Sequence, residues 1–264
     1  MRVLHFLKSR SAGTFFSCMA LCAALTFAPA PDTAVAGELT VSAAASLTNA
    51  FTELKTVFEK KHPGTTVRTN FAASNPLLQQ IREGAPVDVF ASADQETMDK
   101  ADAAKCIDPT SRKNFAANGL VLIVAKGDTS PVKSTEDLRK ASVTRVAIGN
   151  PDSVPAGRYA RAALQNAGLW DALKDKFIVG ASVRQVLDYV ARGEVDAGFV
   201  YTTDALQQKE TVAIVTTMKG HKPVLYPLAL VRGGRNPQAA QEFVKLVLSP
   251  EGQAILARYG FSKP

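Results

Sequence analysis

Histidine is almost missing from this chain, and with it the usual means of moving protons near neutral pH. Of the three, His5 lies in an N-terminal leader, His62 precedes Pro63 at an expected helix end, and His221 sits in a polar turn between Lys219 and Lys222. No candidate serine stands near either of the last two, no G-x-S-x-G signature occurs, and no zinc-ligand spacing is present. Cysteine is as scarce. Cys18 and Cys22 fall in the leader, so Cys106 has no partner for an internal disulfide and no histidine to activate it; it reads as inert packing. These absences exclude the common hydrolytic and thiol chemistries, and the chain is expected not to be an enzyme. No run of Arg and Lys with interleaved aromatics points to nucleic acid. Beyond the leader no apolar run approaches the roughly 20 residues that cross a bilayer.

What the chain does have begins with that leader. Arg2, Lys8 and Arg10 precede a largely apolar stretch over 12–27, and Ala34-Val35-Ala36 forms an A-x-A cleavage site. Residues 1–36 are therefore expected to be a secretory signal peptide and the mature protein to be exported to the periplasm. A lipid anchor is the alternative, but Cys22 follows Leu21 and Cys18 follows Phe15-Phe16-Ser17, where small residues belong. Cleavage removes three basic residues and one acid, lowering the formal charge from +7 to +5. A mildly positive field draws anions toward a cleft.

Along 37–264 strand and helix patterns alternate, which argues for an α/β protein with mostly parallel sheets flanked by helices. Strands are expected at 39–43, 66–71 and 87–91, with helices at 47–61 and 76–83 and a third capped near Ser92 or Asp94. Helix 47–61 carries an apolar stripe of Leu47, Ala50, Phe51, Leu54 and Phe58. A second series has strands at 120–125, 146–149 and 197–201 and helices at 156–166 and 184–192, with Gly168 and Gly193 at helix ends. A strand at 226–231 and helices at 237–248 and 251–259 follow, the last two without a sheet of their own. The simplest arrangement returns them to the first lobe. Lobe 1 is then 37–118 plus 227–264 and lobe 2 is 119–226, joined by two crossover segments near Asn118 and Tyr226 that form a hinge.

Four stretches, 43–49, 71–76, 151–159 and 180–184, each read as a strand that ends in a small-residue turn and opens a helix. Such turns aim unpaired helix N–H groups at one spot. They carry Ser46, Ser74, Ala156 and Val183, and the sole acid within them is Asp152, upstream of the grip. The species that suits such a lining is an oxyanion held by dipoles and hydroxyls. Each serine taken alone reads as an ordinary helix cap; together they follow the C-terminal ends of neighbouring strands, where open α/β sheets bind ligands. Ala156-Gly157 offers a small side chain and a glycine that let backbone approach a ligand. Tyr201, at a strand end, either adds a phenol to the cleft or belongs to the core. Arg158 and Arg184 sit one or two positions into helices and are expected to face solvent.

Five segments carry a family resemblance: Ala43-Ala44-Ala45-Ser46-Leu47-Thr48-Asn49-Ala50, Gly84-Ala85-Pro86-Val87-Asp88-Val89-Phe90, Ser92-Ala93-Asp94, Val154-Pro155-Ala156-Gly157 and Arg258-Tyr259-Gly260-Phe261. Together, and in this order over nearly all of the mature chain, the sequence resembles the periplasmic molybdate-binding proteins of ABC importers. The resemblance implies a two-lobed type II periplasmic binding protein fold. It implies an oxyanion gripped by two serine hydroxyls, backbone amides and a tyrosine hydroxyl, at positions matching Ser46, Ser74, Ala156, Val183 and Tyr201. Molybdenum would be bound only as the oxyanion, molybdate or tungstate, through these residues and with no cofactor. The expected partners are the membrane permease and ATPase of an importer, and the expected state is a monomer. One departure is visible: Asn75-Pro76 follows the second serine where the family usually has Ser or Gly. Pro76 removes an N–H donor, and Asn75 is a secondary ligand candidate through its side chain. The alternatives are a receptor of the same fold for sulfate, another oxyanion or a small organic acid, and a module that reports its ligand to a membrane sensor.

Overall fold

The structure is a computed structural model that describes residues 37–127 and 130–264. The signal peptide expected at 1–36 lies outside the described residues.

Strand β1 (Gly37–Ala44) passes through one 3-10 turn (Ala45–Leu47) into α1 (Thr48–Lys61), followed by β2 (Thr65–Ala72), α2 (Ser74–Arg82), β3 (Val89–Ala91) and α3 (Gln95–Ala103). Strand β4 (Lys113–Asn118) leads across Gly119 into β5 (Leu120–Ala125), β6 (Val146–Gly149), α4 (Pro155–Asn166), α5 (Trp170–Leu173), β7 (Phe177–Gly180), α6 (Val183–Ala191), β8 (Ala197–Tyr201), α7 (Thr202–Gln207) and β9 (Val212–Thr217). The chain then returns through β10 (Val224–Leu230) and ends in α8 (Pro237–Leu248) and α9 (Pro250–Arg258).

Two five-stranded sheets result, ordered β2-β1-β3-β10-β4 and β7-β6-β8-β5-β9. In the first, β1 pairs parallel with β2 and β3, whereas β10 runs antiparallel between β3 and β4. The second repeats the plan, with β6 parallel to β7 and β8, and β5 antiparallel to β8 and β9. Each sheet thus has one reversed strand, and it is the strand that has just crossed from the other lobe. Val224 pairs with Asn118, so β10 belongs to the first sheet from its first residue. The second crossing therefore occupies 218–223, a few residues ahead of Tyr226.

The apolar stripe of α1 is buried as its spacing predicts. Phe51 and Phe58 meet Phe243 of α8 at ring-centroid distances of 6.0 and 5.5 Å, and Phe51 meets Phe115 of β4 at 5.7 Å. Burying each ring is worth about 1.5–3 kcal/mol, which docks the C-terminal helices onto the first sheet. Gly168 and Gly193 close their helices at φ of +66° and +69°, the left-handed cap geometry that favours glycine.

Some boundaries differ from expectation. Helix α2 starts at Ser74 instead of Pro76, since a proline in the first turn removes an N–H that has no intrahelical acceptor. Strand β3 starts at Val89, although the Asp88 N–H still donates to the Thr40 carbonyl and its carbonyl accepts from the Val231 N–H, both at 2.9 Å. The buried Asp88 carboxylate accepts from the N–H groups of Thr40 and Asn236, both at 2.8 Å. Strands β4 and β9, not singled out above, are edge strands with polar or half-buried residues, so alternation is faint in both.

Candidate functional site

The C-terminal ends of the three parallel strands of each sheet, β2, β1 and β3 on one lobe and β7, β6 and β8 on the other, face a single small cavity. Its lining includes Ser46, Ser74, Ala156, Val183 and Tyr201, joined by Ala93, Val154 and Pro155. All five residues expected to form the grip therefore meet, although 155 positions separate the first from the last. No carboxylate and no cationic side chain is part of this lining. A wider groove between α2 and α3, lined by Pro76, Leu78, Gln79, Arg82, Lys100 and Ser153, is more open and receives none of Ser46, Ser74 and Tyr201.

The polarity of the cavity follows from how its hydroxyls are engaged. The serines are not helix caps, contrary to the ordinary reading of each: Ala73 occupies the cap position of α2, Ser74 is its first residue, and Ser46 lies inside the 3-10 turn. Ser74 Oγ accepts from the Ala93 N–H at 3.0 Å. Ser46 Oγ lies 2.9 Å from the Tyr226 hydroxyl. The Tyr201 hydroxyl is buried without a hydrogen-bond partner among the described residues. Burial, with further contributions from Tyr226, Tyr159, Asp94 and Asp204, holds its pKa well above that of free tyrosine, so the phenol keeps its proton and is a donor.

Backbone donors complete the set. Ser74 and Val183 are the first residues of α2 and α6, and Ala156 is the second of α4, positions whose N–H groups have no intrahelical acceptor. The starts of the 3-10 turn, α2 and α4 carry no side-chain cap, whereas Asp94 caps α3 through the Thr97 N–H and Ser182 caps α6 through the Gln185 N–H. The first three helix starts thus keep their positive ends available at the cavity.

Asn75 is not brought into the cavity. Its amide Nδ2 donates to the Asp152 carbonyl at 2.8 Å, its N–H to the Ser153 carbonyl at 3.4 Å, and its Oδ1 accepts from Thr97 Oγ1 at 2.9 Å. Asp152 and Ser153 belong to the second lobe, so Asn75-Pro76 bridges the lobes instead of presenting a donor to a ligand. Gly157 also has a different task from the one expected. A Cβ there would stand 2.0 Å from the Gly149 carbonyl oxygen, so this glycine lets α4 press against the end of β6.

The two arginines do not face solvent. Arg158 donates from Nε and Nη2 to Asp94 Oδ2 at 2.9 and 2.6 Å and from Nη2 to Thr97 Oγ1 at 2.8 Å, linking α4 to the start of α3 across the lobes. Arg184 Nε lies 2.6 Å from Asp204 Oδ1, and its Nη2 reaches the Ser46 carbonyl at 3.4 Å. Tyr226, Asp94 and Asp204 were missed as neighbours of the site, because their importance depends on contacts across 20 to 180 positions of sequence. Only the capping role of Asp94 and the helix-start positions of the arginines left a signal.

Asp204 is fully buried, and burial pushes its carboxyl up to about 6 against the opposing pull of Arg184 and the Tyr201 N–H. A raised folded-state pKa means that the associated stability is complete below the ordinary carboxylate value and is lost as pH rises through about 6. Compared with Asp204→Asn, which stays neutral, the wild type is expected to lose thermal stability between pH 4 and 7. Melting curves of both proteins check this, and a pH-independent difference would count against it.

Known proteins fit this geometry. The family model described as bacterial extracellular solute-binding protein matches residues 39–262. The chain belongs to that family. The molybdate-binding protein ModA of Escherichia coli is 40% identical over 246 residues, covering 91% of this chain and 95% of its own length. ModA of Haemophilus influenzae is 37% identical over 234 residues, covering 87% and 91%. Among solved structures, the periplasmic molybdate-binding protein of Azotobacter vinelandii superposes with a TM-score of 0.76 at 25% identity, covering 86% of this chain and 99% of that one. Members of the family are solute-binding proteins, not enzymes, and act outside the cytoplasm, so the two-lobed α/β architecture and its cleft serve binding.

Proposed function

We propose that this protein captures molybdate in the cavity between its lobes and delivers it to an ABC importer. The observation that carries the reading is a lining that offers donors and no acid: two serine hydroxyls, a protonated phenol and the first-turn amides of helices. Molybdate is fully deprotonated near neutral pH and offers acceptors alone, so a donor-only lining satisfies it. Hydrogen phosphate brings a proton that such a lining leaves without an acceptor, which costs about 1–3 kcal/mol once buried. Neutral donors and helix termini also avoid burying unpaired cationic side chains.

Ser46, Ser74, Ala156, Val183 and Tyr201 are the proposed ligand residues, with no cofactor. Rejection of sulfate rests on size, because donors spaced for longer metal–oxygen bonds are badly placed for a smaller anion. Tungstate, nearly isosteric with molybdate, is bound as well. The protein acts as a monomer in the periplasm and hands its cargo to a permease and ATPase.

Calorimetric titration with molybdate, tungstate, sulfate and phosphate at matched ionic strength tests this. One-to-one binding of the first two alone is the expected result; binding of sulfate or phosphate in their place would replace the proposed ligand. Ser46→Ala and Ser74→Ala are each expected to weaken molybdate binding by about 1–3 kcal/mol, since a charged acceptor loses a donor. Wild-type affinity in both variants would remove the serines from the site.

A further inference from the structure

The hydroxyl of Ser46 sits at the end of a short chain of polar groups that starts at the first crossing between the lobes. Asn118, the last residue of β4, accepts the Gly119 N–H on Oδ1 at 2.9 Å. This fixes the orientation of its amide, since a backbone N–H requires the oxygen there. Nδ2 therefore faces the Tyr226 hydroxyl at 3.3 Å and Thr203 Oγ1 at 2.9 Å, and an amide nitrogen can only donate. Tyr226 accepts from Asn118, and among the described residues the one other polar atom bonded to its hydroxyl is Ser46 Oγ at 2.9 Å. The phenol is fully buried between the rings of Phe115, Tyr201 and Phe261. It has a single proton, and Ser46 Oγ is the atom placed to accept it.

We infer that Asn118 and Tyr226 are positioning residues that set the direction of the Ser46 hydroxyl, forming a relay Asn118 to Tyr226 to Ser46 that turns the serine proton toward the bound anion. Receiving a hydrogen bond from Tyr226 occupies one lone pair of Ser46 Oγ, so its O–H points away from the phenol. Ser74 is held in the same sense by the Ala93 N–H. The inference rests on the reading of Ser46 as a ligand group.

Three substitutions test it by calorimetry with molybdate. Tyr226→Phe keeps the ring and removes the relay oxygen. Asn118→Asp keeps shape and the Gly119 bond but cannot donate, so the Tyr226 proton turns toward the new carboxylate and Ser46 must donate inward. Each is expected to weaken molybdate binding about tenfold, the scale of one misdirected hydrogen bond. In the Ser46→Ala background Tyr226→Phe is expected to have less than about a twofold further effect, because coupled residues are not additive. Full additivity, or wild-type affinity in Tyr226→Phe and Asn118→Asp, would overturn the relay. A purely structural role for the tyrosine would give the additive result. If Ser46→Ala alone binds as the wild type does, the assignment of the site fails first; if it weakens binding while the other two do not, only the relay fails.

Discussion

Replacing Arg158 by Met is expected to lower molybdate affinity by at least a hundredfold and to shift the scattering profile of the saturated protein toward a more extended shape. The side chains of Arg158 and Asp94 are 9% and 5% exposed, and both sit where the lobes meet. Removing the guanidinium leaves a carboxylate buried without its charge partner, a loss that typically costs about 3–5 kcal/mol. The molecule can avoid that cost without unfolding, because opening the lobes returns Asp94 to water. The penalty therefore falls on the closed state, and a ligand that needs that state loses affinity by the same free energy. Asp94→Asn in the same chain should recover much of the loss, as asparagine is neutral and still caps α3 through the Thr97 N–H. Unchanged affinity and unchanged scattering in Arg158→Met would show that closure does not depend on this contact. Thr97 and Asn75 extend the same seam, the first bonded to Arg158 and the second to the 152–153 turn. Asn75 thus takes part in lobe closure.

Gly157→Ala is expected to destabilise the folded protein by about 3 kcal/mol, the upper end of the range for overpacked sites. The added methyl would meet the Gly149 carbonyl oxygen at 2.0 Å and its carbon at 2.6 Å, both backbone atoms at the end of a buried strand that cannot swing aside as a side chain can. Relief requires α4 to retreat from β6, which carries Ala156 and the helix start away from the cavity. The variant should therefore lose both denaturant stability, measured by urea unfolding, and molybdate affinity. Normal values for both would mean that α4 has slack that the packing does not reveal.

Much of this protein was legible before its structure. The stripe on α1, the proline-initiated and glycine-terminated helices and the apolar strands 120–125, 146–149 and 197–201 all follow from local pattern, because their burial repeats with the period of the element that carries them. The turns holding Ser46, Ser74, Ala156 and Val183 were recognisable for a related reason. Small residues between a strand and a helix mark where a backbone must turn sharply with its amides pointing outward. Strands β4 and β9 were harder to see, because an edge strand half-open to solvent has little need for strict alternation.

Chain order and residue type by themselves determined the α/β class, the double crossing, the candidate serines and the absence of catalytic equipment, since each depends on spacing within one or two elements. Only the tertiary structure decided what those serines do. Whether Ser46 caps a helix or pairs with the Tyr226 hydroxyl is settled 180 residues away, and whether Arg158 meets water or Asp94 is settled by the closure of one lobe on the other. A hydroxyl can donate or accept, and a charge can be solvated or paired. Local sequence leaves those choices open, and the partners that fix them arrive only when two sheets bring the C-terminal ends of six strands to one point.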